Sequence, residues 1–246
     1  MIDLHCHILP GLDDGAESLV MTVEMARLAQ QTGTTQIVCT PHCTASDHAL
    51  PERIAAIRRL VSRINLLLEE SRIPLTLRPG MELLCLDGLL PVLEDGTLLT
   101  LADSRYLLIE FDFDAPISHM ERAIRMVTDF RLRPVLAHPE RYPAIQQDPR
   151  QIGTWFQRGC LVQIDKGSIL GRFGQRPAAA ADWILGNGLA HIVASDAHRS
   201  NFRTPDLSRV YRVVSERYSG AYADILFEKN PARILDNRDI VRPDEI

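Results

Sequence analysis

Ile2-Asp3-Leu4-His5-Cys6-His7 begins as an extended-type run and ends in two histidines. Alternate side chains of an extended segment point the same way, so a His-x-His pair turns two imidazoles toward one point. The pattern recurs along the chain. Short β-branched or apolar runs are expected as strands over residues 2–4, 36–40, 75–81, 106–110, 134–137, 161–164 and 191–194. His5 and His7 follow the first, His42 the second and Glu82 the third. Glu110 ends the fourth, His138 closes the fifth, and Asp196 and His198 follow the seventh. Six of the seven runs therefore deliver a metal-capable side chain at the C-terminal end.

Helical periods fill the intervals. Ile54, Ile57, Val61, Ile64 and Leu68 mark one face at 3.6-residue spacing. Ser118-x-x-Glu121 has the form of a capping box, and Asp206 can cap a helix carrying Leu207, Val210 and Val214. Strands alternating with helices imply a parallel sheet with right-handed crossovers, either closed into a barrel or open and doubly wound. No GxGxxG follows the first strand, which weakens a dinucleotide-binding open sheet. In both architectures the site lies at the C-terminal strand ends, but only a barrel gathers all of those ends around one mouth. The expected fold is α/β, a seven-stranded (β/α) TIM-like barrel. It spans residues 1–246 as one domain, since no linker, fixed-period repeat or low-complexity tract divides the chain.

A chain of 246 residues, 46% hydrophobic and 24% charged, can bury a core without disulfides or a structural metal. Its 27 Lys and Arg against 32 Asp and Glu give a net charge of -5, which argues against a nucleic-acid binder working by general electrostatics. No apolar run approaches the ~18 residues of a membrane span, and the start lacks the features of a signal peptide. No membrane insertion and a cytoplasmic location are expected. The five cysteines form no CxxC pair, and Cys39 and Cys43 near His42 lack the further thiols of a structural zinc site.

The candidate ligands are five histidines, His5, His7, His42, His138 and His198, and four carboxylates, Asp14, Glu82, Glu110 and Asp196. Asp14 enters through Asp13-Asp14-Gly15, a turn that helix capping explains equally well from local sequence. His48, His119 and His191 are assigned structural roles. Imidazole and carboxylate without thiolate suit manganese, iron or zinc in an open, catalytic geometry. Nine ligands exceed the needs of one or two ions. Three ions sharing a bridging carboxylate would use them all, and would leave the mouth net positive and attractive to a phosphate ester. Arg141 and Arg203 lie close by in sequence, and guanidinium can grip phosphate through paired hydrogen bonds. Surface salt bridges are the alternative role for both.

Four motifs carry a family resemblance: Asp3-Leu-His5-Cys-His7, Thr40-Pro-His42, Ala137-His138-Pro-Glu-Arg141 and Ala194-Ser-Asp196-Ala-His198. They resemble those of the PHP (polymerase and histidinol phosphatase) superfamily. The stretch from Asp3 to Gly15, Leu108-Ile-Glu110-Phe, His138-Pro-Glu-Arg-Tyr142 and Gly167-Ser-Ile-Leu-Gly171-Arg-Phe-Gly174 narrow it further. Together they look like the bacterial metal-dependent protein-tyrosine phosphatases of capsule and exopolysaccharide gene clusters, over Met1 to about Pro231. The resemblance implies a distorted seven-stranded barrel with three metal ions, manganese first and iron or zinc as alternatives. By resemblance one ion takes His5, His7, Glu110 and Asp196. A second takes Glu82, His138 and the shared Glu110, and a third takes Asp14, His42 and His198. Arg141 and Arg203 fall where the family contacts phosphate. Cys43 after His42, the acidic Asp112 and Asp114, and the Asp165-Lys166 pair depart from the family pattern. These departures bear on substrate preference rather than on hydrolysis.

The implied reaction is hydrolysis of phosphotyrosine by a metal-activated hydroxide, with the ions and arginines stabilising the transferring phosphoryl group. The implied partner is a phosphotyrosine protein, a bacterial tyrosine kinase. No cysteine has arginine six positions later, so the C-x5-R site of thiol-dependent tyrosine phosphatases is missing. The rivals are a phosphatase of a small ester such as histidinol phosphate, and a metal-loaded regulatory module without turnover. A nuclease gains little support from the acidic balance.

Overall fold

The computed structural model describes residues 1–85 and 88–242. Its strands are β1 (Ile2–Cys6), β2 (Gln36–Cys39), β3 (His42–Thr44), β4 (Thr76–Pro79) and β5 (Glu82–Leu84), followed by β6 (Tyr106–Glu110), β7 (Arg133–Ala137), β8 (Leu161–Asp165) and β9 (Ile192–Ala194). Every pairing is parallel, as the alternation of strand and helix patterns requires. The strands form a sheet in the order β1-β2-β4 and another in the order β3-β5-β6-β7-β8-β9.

Among the described residues nine strands stand where seven were expected, because the short strands β3 and β5 follow the second and third expected runs. β2 stops ahead of Thr40-Pro41, and β4 ends at Pro79 ahead of Gly80. Proline brings no N–H to a ladder and glycine offers no side chain to pack. The chain re-enters pairing only at His42 and Glu82, which open β3 and β5 side by side in register. The first sheet meets the far edge of the second at its C-terminal end. There the Asp196 N–H donates to the His5 carbonyl and the His7 N–H to the Ala197 carbonyl.

The helices are α1 (Leu19–Gln31), α2 (Leu50–Glu70), α3 (Leu89–Glu94), α4 (Ile117–Asp129), α5 (Pro143–Gln147), α6 (Gln151–Gln157), α7 (Lys166–Ile169), α8 (Gln175–Gly186), α9 (Ser208–Arg217), α10 (Gly220–Asp224) and α11 (Asn230–Leu235). The expected face of α2 is the one that packs: Ile57, Val61, Ile64 and Leu68 are buried and Ile54 is partly so. The expected capping box does not form. α4 starts directly after Pro116, so Ser118 sits inside its first turn and makes no cap bond. Asp206 lies one residue outside the cap of α9, Leu207, and braces the helix by accepting from the Ser208 N–H.

Strand residues divide by alternation between two apolar layers. Tyr106 and Leu108, Val135 and Ala137, Leu4 and Ile192 meet in a small cluster with Leu101 and Ile234. Leu107, Ile109, Leu136, Val162 and Val193 belong to the larger cluster that includes the helices. Burial on both faces is the state of parallel strands with crossover helices. No helix among the described residues is long and apolar enough to cross a membrane.

Candidate metal centre

All nine expected ligands converge at the C-terminal strand ends. Their donor atoms fall into four groups, each within 4.8 Å: His7, Asp14, His42 and His198; His5, His7 and Asp196; His5, Glu82 and His138; and His42, Glu82 and Glu110. The arrangement follows from the fold. β1 delivers His5 and His7, the restarted strands β3 and β5 deliver His42 and Glu82, and β6 ends on Glu110. His138 and Asp196 lie just past β7 and β9, in left-handed backbone at φ +35° and +46°. Such conformations cost of order 1–3 kcal/mol each and concentrate at functional sites.

Several imidazoles are turned inward by acceptor atoms that are not themselves donors of these groups. His5 donates from Nδ1 to Gln163 Oε1 at 2.8 Å, His7 from Nδ1 to Asp13 Oδ2 at 2.7 Å, and His198 from Nδ1 to the Asp196 carbonyl at 3.0 Å. Each acceptor fixes the proton on Nδ1 of the neutral ring and leaves a lone pair on Nε2. The Nε2 atoms of His5 and His7 then face each other at 3.1 Å, and Nε2 of His198 faces Asp14 Oδ1 at 3.3 Å. Lone pairs facing at these distances need a cation or a proton between them.

The separations suit a metal. Two ligand atoms each ~2.1 Å from a common ion, at octahedral or tetrahedral angles, lie about 3.0–3.4 Å apart. Glu82 Oε2 is 3.1 Å from His5 Nε2, 3.3 Å from His7 Nε2 and 3.1 Å from His42 Nδ1. It is fully buried, and despite these approaches it meets no ring nitrogen in hydrogen-bonding alignment. Its other oxygen is 2.9 Å from His138 Nε2. The donor chemistry and the spacing fit divalent ions.

The grouping differs from the division expected by resemblance, chiefly at the shared carboxylate. Glu82, rather than Glu110, is shared between groups, and Glu110 does not join His5, His7 and Asp196. Glu110 contacts His42 Nδ1 at 2.8 Å and stands 3.9 Å from His138 Nε2.

Electrostatics of the protein groups alone follow the same geometry. Burial works against charge on Glu82 and Asp196, yet the surrounding imidazoles outweigh it and hold both carboxyls well below the ordinary range. Burial likewise opposes protonation of His42, but the hydrogen bond to Glu110 and the adjacent Glu82 carboxylate raise it to about 10. For His198 burial and the nearby His7 prevail, and its pKa falls to about 3.

The two arginines lie against the donor groups rather than out on the surface. Arg141 donates to Asp196 Oδ2 at 2.9 Å, and Arg203 donates to the same oxygen. Their side chains are only 17% and 22% exposed. Arg203 is also in left-handed backbone, at φ +49°. Its loop is held by buried Lys166, whose ammonium donates to the carbonyls of Thr204 and Asp206.

Sequence reasoning missed several supporting residues. Asp13 accepts from His7, from the His42 N–H and from the Gly15 N–H. Gln163 orients His5. Asp165 lies 3.7 Å from Arg141, and burial with the nearby Asp196 and Glu140 charges pushes its carboxyl well up. Gly15 is obligatory, because a Cβ there would stand 2.2 Å from the His7 carbonyl oxygen. His191 and His119 have the structural roles assigned to them: His191 accepts from the Val162 N–H, and His119 meets the Cys85 carbonyl. His48 is exposed and outside the donor groups. A cavity of about 1000 Å³ is lined by the starts of β2 and β4 and contains none of the nine ligands.

Known proteins resemble this chain along nearly its full length. The tyrosine-protein phosphatase YwqE of Bacillus subtilis is 35% identical over 246 residues, covering 98% of this chain and 94% of that protein. The tyrosine-protein phosphatase CpsB of Streptococcus pneumoniae is 29% identical, covering 96% and 98%. A crystal structure from work on YwqE and CpsB, described as unique metal-dependent tyrosine phosphatases, superposes with a TM-score of 0.90 at 34% identity, covering 98% of this chain and 97% of the other. A putative histidinol phosphatase from Listeria monocytogenes, at TM-score 0.55 and 12% identity over 87% of this chain and 99% of its own, shares the fold alone. The model of the family described as "Capsular polysaccharide synthesis, CpsB/CapC" matches residues 1–236, and the chain belongs to that family.

Proposed function

We propose that this chain is a metal-dependent protein-tyrosine phosphatase. It hydrolyses phosphotyrosine on a bacterial tyrosine kinase in the cytoplasm and so regulates capsule or exopolysaccharide synthesis. One observation carries the reading. Inward-facing imidazole lone pairs and buried carboxylates adjoin two guanidinium groups that converge on one oxygen, Asp196 Oδ2. Donors for cations beside paired donors for an oxyanion are what a phosphate monoester requires. The named activity of the relatives supports the choice of substrate.

The ligands His5, His7, Asp14, His42, Glu82, Glu110, His138, Asp196 and His198 suffice for three ions, manganese foremost. We take Glu82 as the bridging carboxylate, because it stands in two donor groups, in place of the Glu110 bridge that the resemblance implies. We likewise read the two sheets as one distorted barrel closed by β1 against the end of β9, in a single domain over 1–246. Bound ions would supply Lewis acidity and a water acidic enough to deprotonate near neutral pH. The protein's own residues do the rest. Gln163, Asp13 and the Asp196 carbonyl hold three rings in one tautomer. Asp196 Oδ2 sets the spacing of the two guanidinium groups, so that their remaining N–H donors can take non-bridging phosphate oxygens and oppose charge as the phosphoryl group transfers. Buried Lys166 keeps the loop that bears Arg203 in place.

The test is turnover of phosphotyrosine peptide, phosphoserine peptide and histidinol phosphate by protein stripped of metal and then saturated with manganese. Manganese-dependent turnover with phosphotyrosine preferred is expected. Preference for histidinol phosphate would assign a small-ester phosphatase, and no turnover of any ester would assign a regulatory module.

A further inference from the structure

Neither the metal centre nor the core accounts for Phe113. It is 51% exposed, in the turn after β6 that the Ala115 N–H closes on the Asp112 carbonyl. A lone exposed phenyl is ordinary on a protein surface. The placement of this one is not, because the guanidinium carbon of Arg141 lies 5.2 Å from its ring centre. Both are tied to Tyr142. The hydroxyl of buried Tyr142 accepts from the Phe111 N–H at 3.1 Å, and its ring lies 6.0 Å from that of Phe113.

A second phenyl has a different part. Phe173 lies 4.6 Å from the Arg141 guanidinium carbon, in the Gly167 to Gly174 motif. A Cβ on Gly167 would stand 2.6 Å from the Phe173 ring, so that glycine is what allows the ring to lie there. Phe173 is partly buried and packs the arginine. Phe113 keeps half its surface for something else.

We propose that Phe113 is a specificity-determining residue that stacks on the aryl ring of the phosphate ester while Arg141 holds its phosphoryl group. The proposal rests on the phosphotyrosine reading above and deepens it. In an aryl phosphate a rigid, flat ring begins one oxygen away from phosphorus. A phenyl standing beside the guanidinium that binds the phosphate can meet that ring face or edge. The alkyl arm of a phosphoserine offers it no such partner.

The experiment compares wild type, Phe113→Ala and Phe113→Tyr as manganese-loaded proteins. Inhibition constants are measured for benzylphosphonate, ethylphosphonate and inorganic phosphate, together with kcat/KM on a phosphotyrosine peptide. Phe113→Ala should weaken benzylphosphonate by about 3- to 10-fold, the scale of one aromatic pair, and leave ethylphosphonate and phosphate within about twofold. Peptide kcat/KM should fall by the same factor through KM, and Phe113→Tyr should restore both. Equal weakening of all three anions would show that Phe113 only props Arg141, and unchanged constants would show a bystander; either overturns the proposal. Wild-type turnover of phosphotyrosine alongside either result leaves the phosphatase reading intact. Wild-type failure on phosphotyrosine with turnover of another ester would overturn both.

Discussion

Asp13 coordinates nothing in the proposed site, yet it accepts from His7, from the His42 N–H and from the Gly15 N–H. Burial alone would raise its carboxyl, but the His7 contact and the amides outweigh it and bring it to about 2. A carboxyl depressed in the folded state stabilises above its ordinary pKa of 3.8, and that stabilisation disappears as pH falls from there toward about 2. Asp13→Ala frees His7 to take the other tautomer. Metal affinity should drop by ~10–100-fold, the usual cost of losing such a partner, as read by calorimetric titration of stripped protein. Unchanged affinity would remove Asp13 from the site. Arg141→Ala and Arg203→Ala should each lose kcat/KM by ~10- to 1000-fold, the scale of one or two charge-assisted hydrogen bonds. Lysine should recover only part, since a point charge lacks paired donors. Wild-type inhibition by inorganic phosphate in both variants would return them to the class of structural arginines. Eight of the nine residues that converge could be picked out because they follow strand ends, whereas Asp14 lies in a turn that capping explains equally well and owed its place to the resemblance. Asp13 and Gln163 were not singled out, because an acceptor for the far nitrogen of an imidazole can come from any polar residue, and only the fold brings Gln163 to His5.

At the scale of elements, each of the seven expected runs holds a strand, while β3 and β5, which follow the second and third runs, were not expected. Strands of three residues, His42–Thr44 and Glu82–Leu84, are too short to show an alternation of their own. Ser118 misled for the opposite reason. Its spacing to Glu121 is that of a cap, while Pro116 sets the helix start two residues earlier. His191 shows what a structural histidine costs. It opens the approach to β9, accepts from the Val162 N–H and stacks on Phe156 with ring centres 5.1 Å apart. Burial, with the nearby Arg242 charge, lowers its pKa from 6.5 to about 3. Between those values the unfolded chain binds a proton that the folded chain refuses, so stability falls as pH falls through that window. His191→Asn keeps an acceptor for Val162 and cannot titrate. Its unfolding free energy should decline less steeply between pH 6 and 4, by up to about 1.4 kcal/mol per pH unit. Identical slopes in wild type and variant would show that His191 titrates normally.

Over the whole molecule, the proposed chemistry calls on no thiol. All five cysteines are free and buried, and burial raises every thiol, to about 12 for Cys43 and Cys160. Thiolate is the reactive form, so native protein should retain full turnover after exposure to iodoacetamide and lose it to a chelator. Loss of turnover to iodoacetamide, with one thiol modified by mass spectrometry, would contradict this burial. The acidic balance of the chain gave no hint of a site that attracts anions, because net charge sums over the surface and a centre built from buried donors does not.

The donors are divided between the two sheets. His5 and His7 come from the end of β1, whereas His42, Glu82, Glu110, His138 and Asp196 come from the six-stranded sheet or its margin. An ion held by both sets is a rivet across a seam that backbone pairing crosses at only a few points. Ions that bind only the intact seam slow its opening. In deuterium exchange, amides of β1, β2 and β4 should therefore gain more protection from manganese than amides of β7 and β8, whose ladders lie within one sheet. Uniform protection would mean that the seam opens only when everything does. A differential would make metal supply a control on how long the three-stranded sheet stays shut, and so on the lifetime of the chain when proteases are present.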